Sequence, residues 1–305
     1  MAFVALTIAG SDPSGGAGLQ ADLKTFHQFG VYGEAVVTLI TVQNTRGVER
    51  VEVLDPELVA AQIRAVLADI PPTAAKTGAL GSRAMVEMLA ELAERFEFPL
   101  VVDPVMISKH GTQLIAQDAA RALAERLMPR AFLITPNLYE AAALTGFEVE
   151  DRDTMRRAAD VLASRGAQNV LIKGGHLRGD ALDVLRLSAG EFREYSSPRI
   201  DTLHTHGTGC TYSAAITAEL AKDTPLAEAV ARAKKFVTEA IRTNPGLGGG
   251  SGPLNFHAHL SAQRRGGRTP PSAPDPRSGS SESEADAGVG RGPGGPPSID
   301  LAGEK

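Results

Sequence analysis

The chain has 305 residues, 43% of them apolar and 22% charged, and a net charge of −5. That size and apolar content suit one large or two ordinary globular domains, and the acidic balance argues against a nucleic-acid binder, which would carry a basic face. No apolar run approaches the roughly 20 residues that span a bilayer, and a single cysteine, Cys210, excludes an internal disulfide and points to a reducing, cytoplasmic setting.

The chain opens on a strand-like run, residues 3–9, without the basic-then-apolar layout of a signal peptide. A glycine-rich loop follows: Gly10-Ser11-Asp12-Pro13-Ser14-Gly15-Gly16-Ala17-Gly18, leading into a predicted helix over 17–29. It lacks the Gly-Lys-Ser/Thr ending of a P-loop, and its glycines are wrongly spaced for a dinucleotide fingerprint. By itself it reads better as a tight strand-to-helix turn. Strands are predicted at 35–42 and 48–53, a helix at 56–68, a strand at 73–76 and a helix at 82–95.

The next strand, 99–103, ends in Val102-Asp103-Pro104-Val105-Met106. Asp103 sits where the strand stops, as a loop cap or as part of a metal environment. A helix over 117–127 and a strand over 132–135 lead to Thr135-Pro136-Asn137-Leu138-Tyr139-Glu140. Pro136 stops the strand, and Asn137 with Glu140 at N3 has the form of a helix cap. The functional alternative has Asn137 and Glu140 holding Mg²⁺ through waters, since this cation keeps several waters and uses few carboxylates.

A helix over 152–164 precedes a strand over 169–173 that ends in Lys173-Gly174-Gly175-His176. A lysine there can reach a nucleotide phosphate, although strand-end lysines often point only to solvent. Residues 181–187 and 191–196 read as a hairpin around Ser188-Ala189-Gly190. Then comes His204-Thr205-His206-Gly207-Thr208-Gly209-Cys210, ahead of helices over 208–221 and 225–242. Glycines there admit a ligand to the backbone, and the free N–H groups of the helix start form an anion hole suited to phosphate. A plain turn before a helix explains the motif about equally well. No histidine has the partner spacing of a zinc site.

The alternation of strands and helices predicts a doubly wound α/β sheet, with ligands beyond the carboxyl ends of its strands. Residues 1–258 read as one domain. From 259 to 305 there is no aromatic residue, and Gly, Pro, Ser and charged residues dominate, so a disordered tail is expected.

Taken in order, the stretches LTIAGSDPSGGAGLQADLKTF, TVQNTRGV, VVDPVM, LITPNLYEAAALTG, LIKGGH, HTHGTGCTYSAAI and GSGPLNFHA resemble the bacterial phosphomethylpyrimidine kinases of the ribokinase-like superfamily. The resemblance covers about residues 4–258. It implies a three-layer α/β/α fold with a mostly parallel sheet. It also implies two ATP-dependent phosphorylations of 4-amino-5-hydroxymethyl-2-methylpyrimidine, to the monophosphate and then the diphosphate, in thiamine biosynthesis. Gln43 matches the glutamine that reads the pyrimidine edge, which suits an amide able to donate and accept. Asp22, Ala17 and Val105 match pocket-lining positions, and Gly207, Thr208, Gly209 and Cys210 match the anion hole. Asn137 and Glu140 match the magnesium motif, and Lys173 a nucleotide-side lysine. Lys109 and His110 would belong to a flap, and a homodimer fits the family. Ala79 departs from the methionine of some relatives, and the tail has no counterpart.

In most ribokinase-like enzymes the position of Cys210 is an aspartate that takes the alcohol proton. A helix N-terminus lowers a thiol pKa, so some thiolate near neutral pH is expected, able to act as base in the first step. In the second step the nucleophile is a phosphate monoester, with a second pKa of about 6, and needs little help. A thiol can stay neutral beside that dianion where a carboxylate would repel it. The alternatives are a pyridoxal kinase of the same fold, and a non-catalytic pyrimidine or nucleotide sensor.

Overall fold

The computed structural model describes residues 2–106, 115–177 and 179–258. The flap expected at Lys109 and His110 and the tail expected after residue 258 lie outside the described residues. Nine strands form a single sheet: β1 (Val4–Ser11), β2 (Tyr32–Asn44), β3 (Gly47–Val53), β4 (Ala74–Thr77), β5 (Leu100–Val102), β6 (Leu133–Ile134), β7 (Asn169–Gly174), β8 (Ala181–Arg186) and β9 (Phe192–Ser197). Their order is β3-β2-β1-β4-β5-β6-β7-β8-β9. β2, β1 and β4 through β7 run parallel, and β3, β8 and β9 are antiparallel additions at the two edges.

The strands are apolar on both faces because both faces are covered. Leu6 and Ile8 of β1, Val102, Ile134, Val170, Ile172 and Val184 point to one face. There they meet α2 (Pro56–Asp69), α3 (Arg83–Ala93), α4 (Gln117–Ala122), α5 (Leu138–Thr145) and α6 (Arg152–Ser164). Their alternating neighbours Ala5, Val101, Leu133, Leu171 and Leu185 point to the other face, under α1 (Gly18–Gln28), α7 (Thr208–Ala221) and α8 (Leu226–Arg242). This is the three-layer α/β/α sandwich that the alternation predicts. No helix among the described residues is long and apolar enough to cross a membrane.

Three local differences have physical reasons. The helix expected over 117–127 is α-helical only to Ala122, then widens to a π turn over 123–127 and a 3₁₀ turn over 128–130. Pro129 has no N–H to continue the α pattern. β2 runs past the expected 35–42 because its far end pairs with β3 as a hairpin, with Ile40 and Val42 exposed. α5 is a short helix that periodicity overlooks; it is defined by its ends, a capping box at Asn137 and Gly146 with φ 88°.

Candidate active site

The chain leaves β1 to β2 on one side and to β4 on the other, so β1 and β4 flank a topological switch point. Ligands in open α/β sheets bind outside the carboxyl ends of strands at such a point. The polar groups gathered at those ends are Asp12 after β1, Lys76 and Thr77 in β4, Asp103 after β5, Thr135 after β6 and Lys173 in β7. α7 points its start at them.

Two carboxylate–lysine pairs organise the centre. In the front pair, Lys173 Nζ donates to Asp103 Oδ1 at 2.8 Å. Thr135 Oγ1 donates to the same oxygen at 3.3 Å, and Ser213 Oγ to Oδ2 at 3.1 Å. Burial would raise the Asp103 pKa, but Lys173, Lys76 and these hydrogen bonds hold it below its ordinary value. Burial would likewise discharge Lys173, but Asp103 and Glu140 keep it an ammonium. A methyl group built on Gly209 would lie 3.4 Å from Lys173 Nζ and 3.9 Å from Asp103 Oδ2. The first turn of α7 therefore lies directly against this pair, with Gly207 at its N-cap in the left-handed region, φ 78°. Thr208 Oγ1 donates back to Thr205 O at 2.8 Å and fixes that turn.

Behind it lies a second pair. Lys76 Nζ donates to Asp22 Oδ2 at 2.8 Å, and Thr7 Oγ1 donates to the same oxygen at 2.6 Å. Both charged side chains are 0% exposed. Burial works against the Lys76 charge, but Asp22, Cys210 and Asp103 raise its pKa, so it stays an ammonium. Asp22, expected to line the pocket, has a fully buried side chain that holds Lys76 in place.

Cys210, partly exposed at the start of α7, faces both pairs. Burial pushes its thiol up, the Asp22 and Asp103 carboxylates push the same way, and Lys76 and the Gly18 N–H pull back; the result is about 12. The expected thiolate is thereby corrected. The helix N-terminus is present, but burial first, and then the Asp22 and Asp103 carboxylates, outweigh it, and the thiol is neutral at pH 7.

Asn137 and Glu140 form a reciprocal cap: Glu140 N donates to Asn137 Oδ1 at 3.0 Å, and Asn137 N to Glu140 Oε2 at 2.8 Å. Lys173 N donates to Pro136 O at 2.8 Å and ties this cap to β7. Burial raises the Glu140 carboxyl, Asp103 adds repulsion, and Lys173 with the N–H groups of Asn137 and Met106 pulls back, leaving it at about 7. The helix-cap reading and a metal role are thus compatible. Glu140 is a buried carboxyl short of positive charge, whereas Asp103 is already committed to Lys173 and two hydroxyls. The Glu140 carboxylate and the Asn137 amide are oxygen donors of the kind that could hold a Mg²⁺ ion through water. No cluster of three or more His, Cys, Asp or Glu with metal-site geometry occurs among the described residues.

Gln43, expected to read the ring edge, lies at a bulge near the end of β2, half-buried. Val105 N donates to Asp103 O at 2.8 Å in a tight turn, and Ala17 N donates to Asp12 Oδ2 at 2.8 Å. Burial would raise the Asp12 pKa; hydrogen bonds from His206 and Ser14 hold it down at about 2. Ala79 accepts from Thr38 Oγ1 at 2.6 Å through its carbonyl. Sequence reasoning missed Lys76, Thr7 and Ser213, and placed Asp12 and His206 in their glycine loops without pairing them. Lys76 carried the same signal as Lys173, a lysine at the end of an apolar strand.

A sequence model described as phosphomethylpyrimidine kinase matches residues 12–255. The chain is 50% identical over 252 residues to a thiamine biosynthesis bifunctional protein of Geobacter sulfurreducens; the match covers 82% of this chain but only 51% of that protein. It is 48% identical over 250 residues to a hydroxymethylpyrimidine/phosphomethylpyrimidine kinase of Streptomyces coelicolor, covering 82% of this chain and 93% of the relative. Among solved structures, the ADP complex of Bacillus subtilis pyridoxal kinase superposes with a TM-score of 0.79 at 40% identity, covering 85% of this chain and 99% of that one. Glycine loops, strand-end lysines and an α7 start of this arrangement, over this extent of matching sequence, place the chain in the phosphomethylpyrimidine kinase family.

Proposed function

We propose that this chain uses ATP to phosphorylate the hydroxymethyl group of 4-amino-5-hydroxymethyl-2-methylpyrimidine, and then phosphorylates the monophosphate to the diphosphate. The observation that carries the reading is the meeting of Lys173, Asp103 and the α7 start beside a neutral thiol, with glycine loops on both sides. Phosphoryl transfer is mainly positioning and charge stabilisation, and these groups supply both. The N–H groups at Gly209 and Cys210 and the Lys173 ammonium would receive the phosphoryl oxygens. Gln43 would read the ring edge, with Ala17 and Val105 forming pocket wall. Mg²⁺, held through water by Glu140 and Asn137, would neutralise phosphate charge.

Cys210 faces the reacting oxygen as a neutral thiol. In a loose transition state the alcohol proton leaves late, so the first step needs no strong base. In the second step the uncharged thiol leaves room for a dianionic monophosphate. The same reading includes a cytoplasmic homodimer, supported by the single cysteine and by the family resemblance, and a tail after residue 258 that is dispensable for activity. A second reading, pyridoxal phosphorylation, is favoured by the structural likeness to the Bacillus subtilis pyridoxal kinase. Measuring kcat/KM for the pyrimidine alcohol and for pyridoxal on one preparation separates them. The proposal expects the pyrimidine to be preferred; turnover of pyridoxal alone would sink it. Truncation at residue 260 that leaves turnover and melting unchanged supports the assignment of the tail.

A further inference from the structure

The two glycine-rich loops are far apart in sequence, yet they are joined by one buried contact. His206 Nε2 lies 2.8 Å from Asp12 Oδ2, and both side chains are almost fully buried. The same carboxylate serves its own loop: Oδ1 accepts from Ser14 N and Oδ2 from Ala17 N, each at 2.8 Å. With its oxygens accepting from two backbone amides, the carboxylate leaves the imidazole the donor's part, through Nε2–H.

The fit around the pair leaves little slack. A methyl group on Gly16 would meet His206 Cδ2 at 2.6 Å, and one on Gly207 would meet Gly16 O at 1.8 Å. From the other side, His206 N donates to Gly252 O at 3.1 Å, and Gly252 N donates to His204 Nδ1 at 3.2 Å. Ser251 N in turn donates to Thr45 O at 2.8 Å, two residues beyond Gln43. His206 therefore stands where three segments meet: the loop bearing Ala17, the loop opening α7, and the strap to the β2–β3 turn.

We propose that Asp12 and His206 form a positioning clamp that locks the acceptor-side loop onto the anion-hole loop and so sets the alignment of phosphoryl acceptor and donor. Neither residue need touch a substrate. The inference rests on the reading of the chain as a kinase with acceptor and donor on these two loops. On that reading each loop serves its own ligand, so the clamp matters when both ligands must be in line. A misplacement of about 1 Å costs roughly 10²-fold in rate when reacting groups are held in position.

The test compares wild type with His206→Ala and His206→Gln. Dissociation constants for ADP alone and for the pyrimidine alcohol alone are measured beside kcat. The clamp predicts that His206→Ala lowers kcat about 10²-fold while both binary constants stay within a few fold. It predicts that His206→Gln, whose amide N–H can reach Asp12 from nearly the same place as imidazole Nε2–H, recovers most of the loss. Because alignment does not depend on the ring, pyridoxal turnover should fall by the same factor. An unchanged kcat in the alanine variant overturns the clamp. So does a parallel loss of both binary affinities or of the folded state, which marks a structural role only, and so does a glutamine variant no better than alanine. Wild-type turnover reports separately on the functional reading, because a wrong ring substrate changes that rate and not the ratio between variant and wild type.

Discussion

The two carboxylate–lysine pairs beside Cys210 share their chemistry and differ in almost everything else. Asp22 and Lys76 are sealed, both at 0% exposure, while Lys173 keeps 12% of its side-chain surface open. Burial raises the Asp22 carboxyl, and Lys76 and Thr7 only partly offset it. Burial also acts on Asp103, yet Lys173, Lys76 and the Ser213 hydroxyl carry that carboxyl below its ordinary value. The difference lies in the supply of donors. Asp22 Oδ1 is buried with no hydrogen-bond partner, whereas both Asp103 oxygens have one. The rear pair is a sealed, fixed charge, and the front pair is partly open, as the proposed contact with a phosphate requires.

Breaking the rear pair has the largest expected effect. Lys76→Met leaves Asp22 as a lone buried carboxylate and costs about 3–5 kcal/mol of stability, read from urea unfolding. Adding Asp22→Asn removes that charge and restores much of the loss. Breaking the front pair moves activity instead. Lys173→Met lowers kcat by about 10²–10³-fold, the usual effect of deleting one preorganised electrostatic donor. Its stability falls by less than that of Lys76→Met, because Asp103 keeps Thr135 and Ser213. If the two methionine variants lose stability and turnover in the same proportion, the distinction between the pairs fails.

Gln43→Leu leaves both pairs intact and sharpens the contrast. Loss of a buried hydrogen bond to the ring weakens pyrimidine affinity by about 1–3 kcal/mol, with ADP affinity unchanged in the same titration. Glu140→Gln acts through charge at the front. Glu140 shifts from its ordinary 4.5 to about 7 on folding. Between those values the folded chain binds more protons than the unfolded one, so stability falls as pH rises across that window. The glutamine variant should lose that slope, and its Mg²⁺ half-saturation should rise severalfold. Cys210→Ala gives the smallest effect. The first step slows by less than about tenfold, well under the 10²–10⁴ contributed by a working general base. A larger loss would restore the thiol as a base.

Much of this site was legible in the sequence because it lies in short runs. Glycines, strand ends and the start of α7 can be read from neighbours along the chain, and so can the Asn137–Glu140 cap. What was not legible depends on partners far away. Lys76 and Asp22 are 54 residues apart, and His206 and Asp12 are 194 apart. A lysine after two alanines shows nothing of its partner. The thiol was misjudged for the same reason: the helix N-terminus that lowers a pKa is visible in the sequence, whereas the burial that raises it most, and the two carboxylates from α1 and the end of β5 that add to it, are not. The π turn before β6 was hidden because Pro129 falls just past the expected helix end.

The central claim is that one site, with an uncharged thiol between these two pairs, performs both phosphorylations. A ³¹P NMR time course with the pyrimidine alcohol, excess ATP and Mg²⁺ tests it directly, run for the wild type and for Cys210→Asp. The wild type should build up monophosphate and then convert it to diphosphate, while the aspartate variant, with a carboxyl group far more acidic than the thiol facing the dianion, should accumulate monophosphate. A wild-type reaction that stops at monophosphate, or an aspartate variant that makes diphosphate as fast as wild type, would contradict the account.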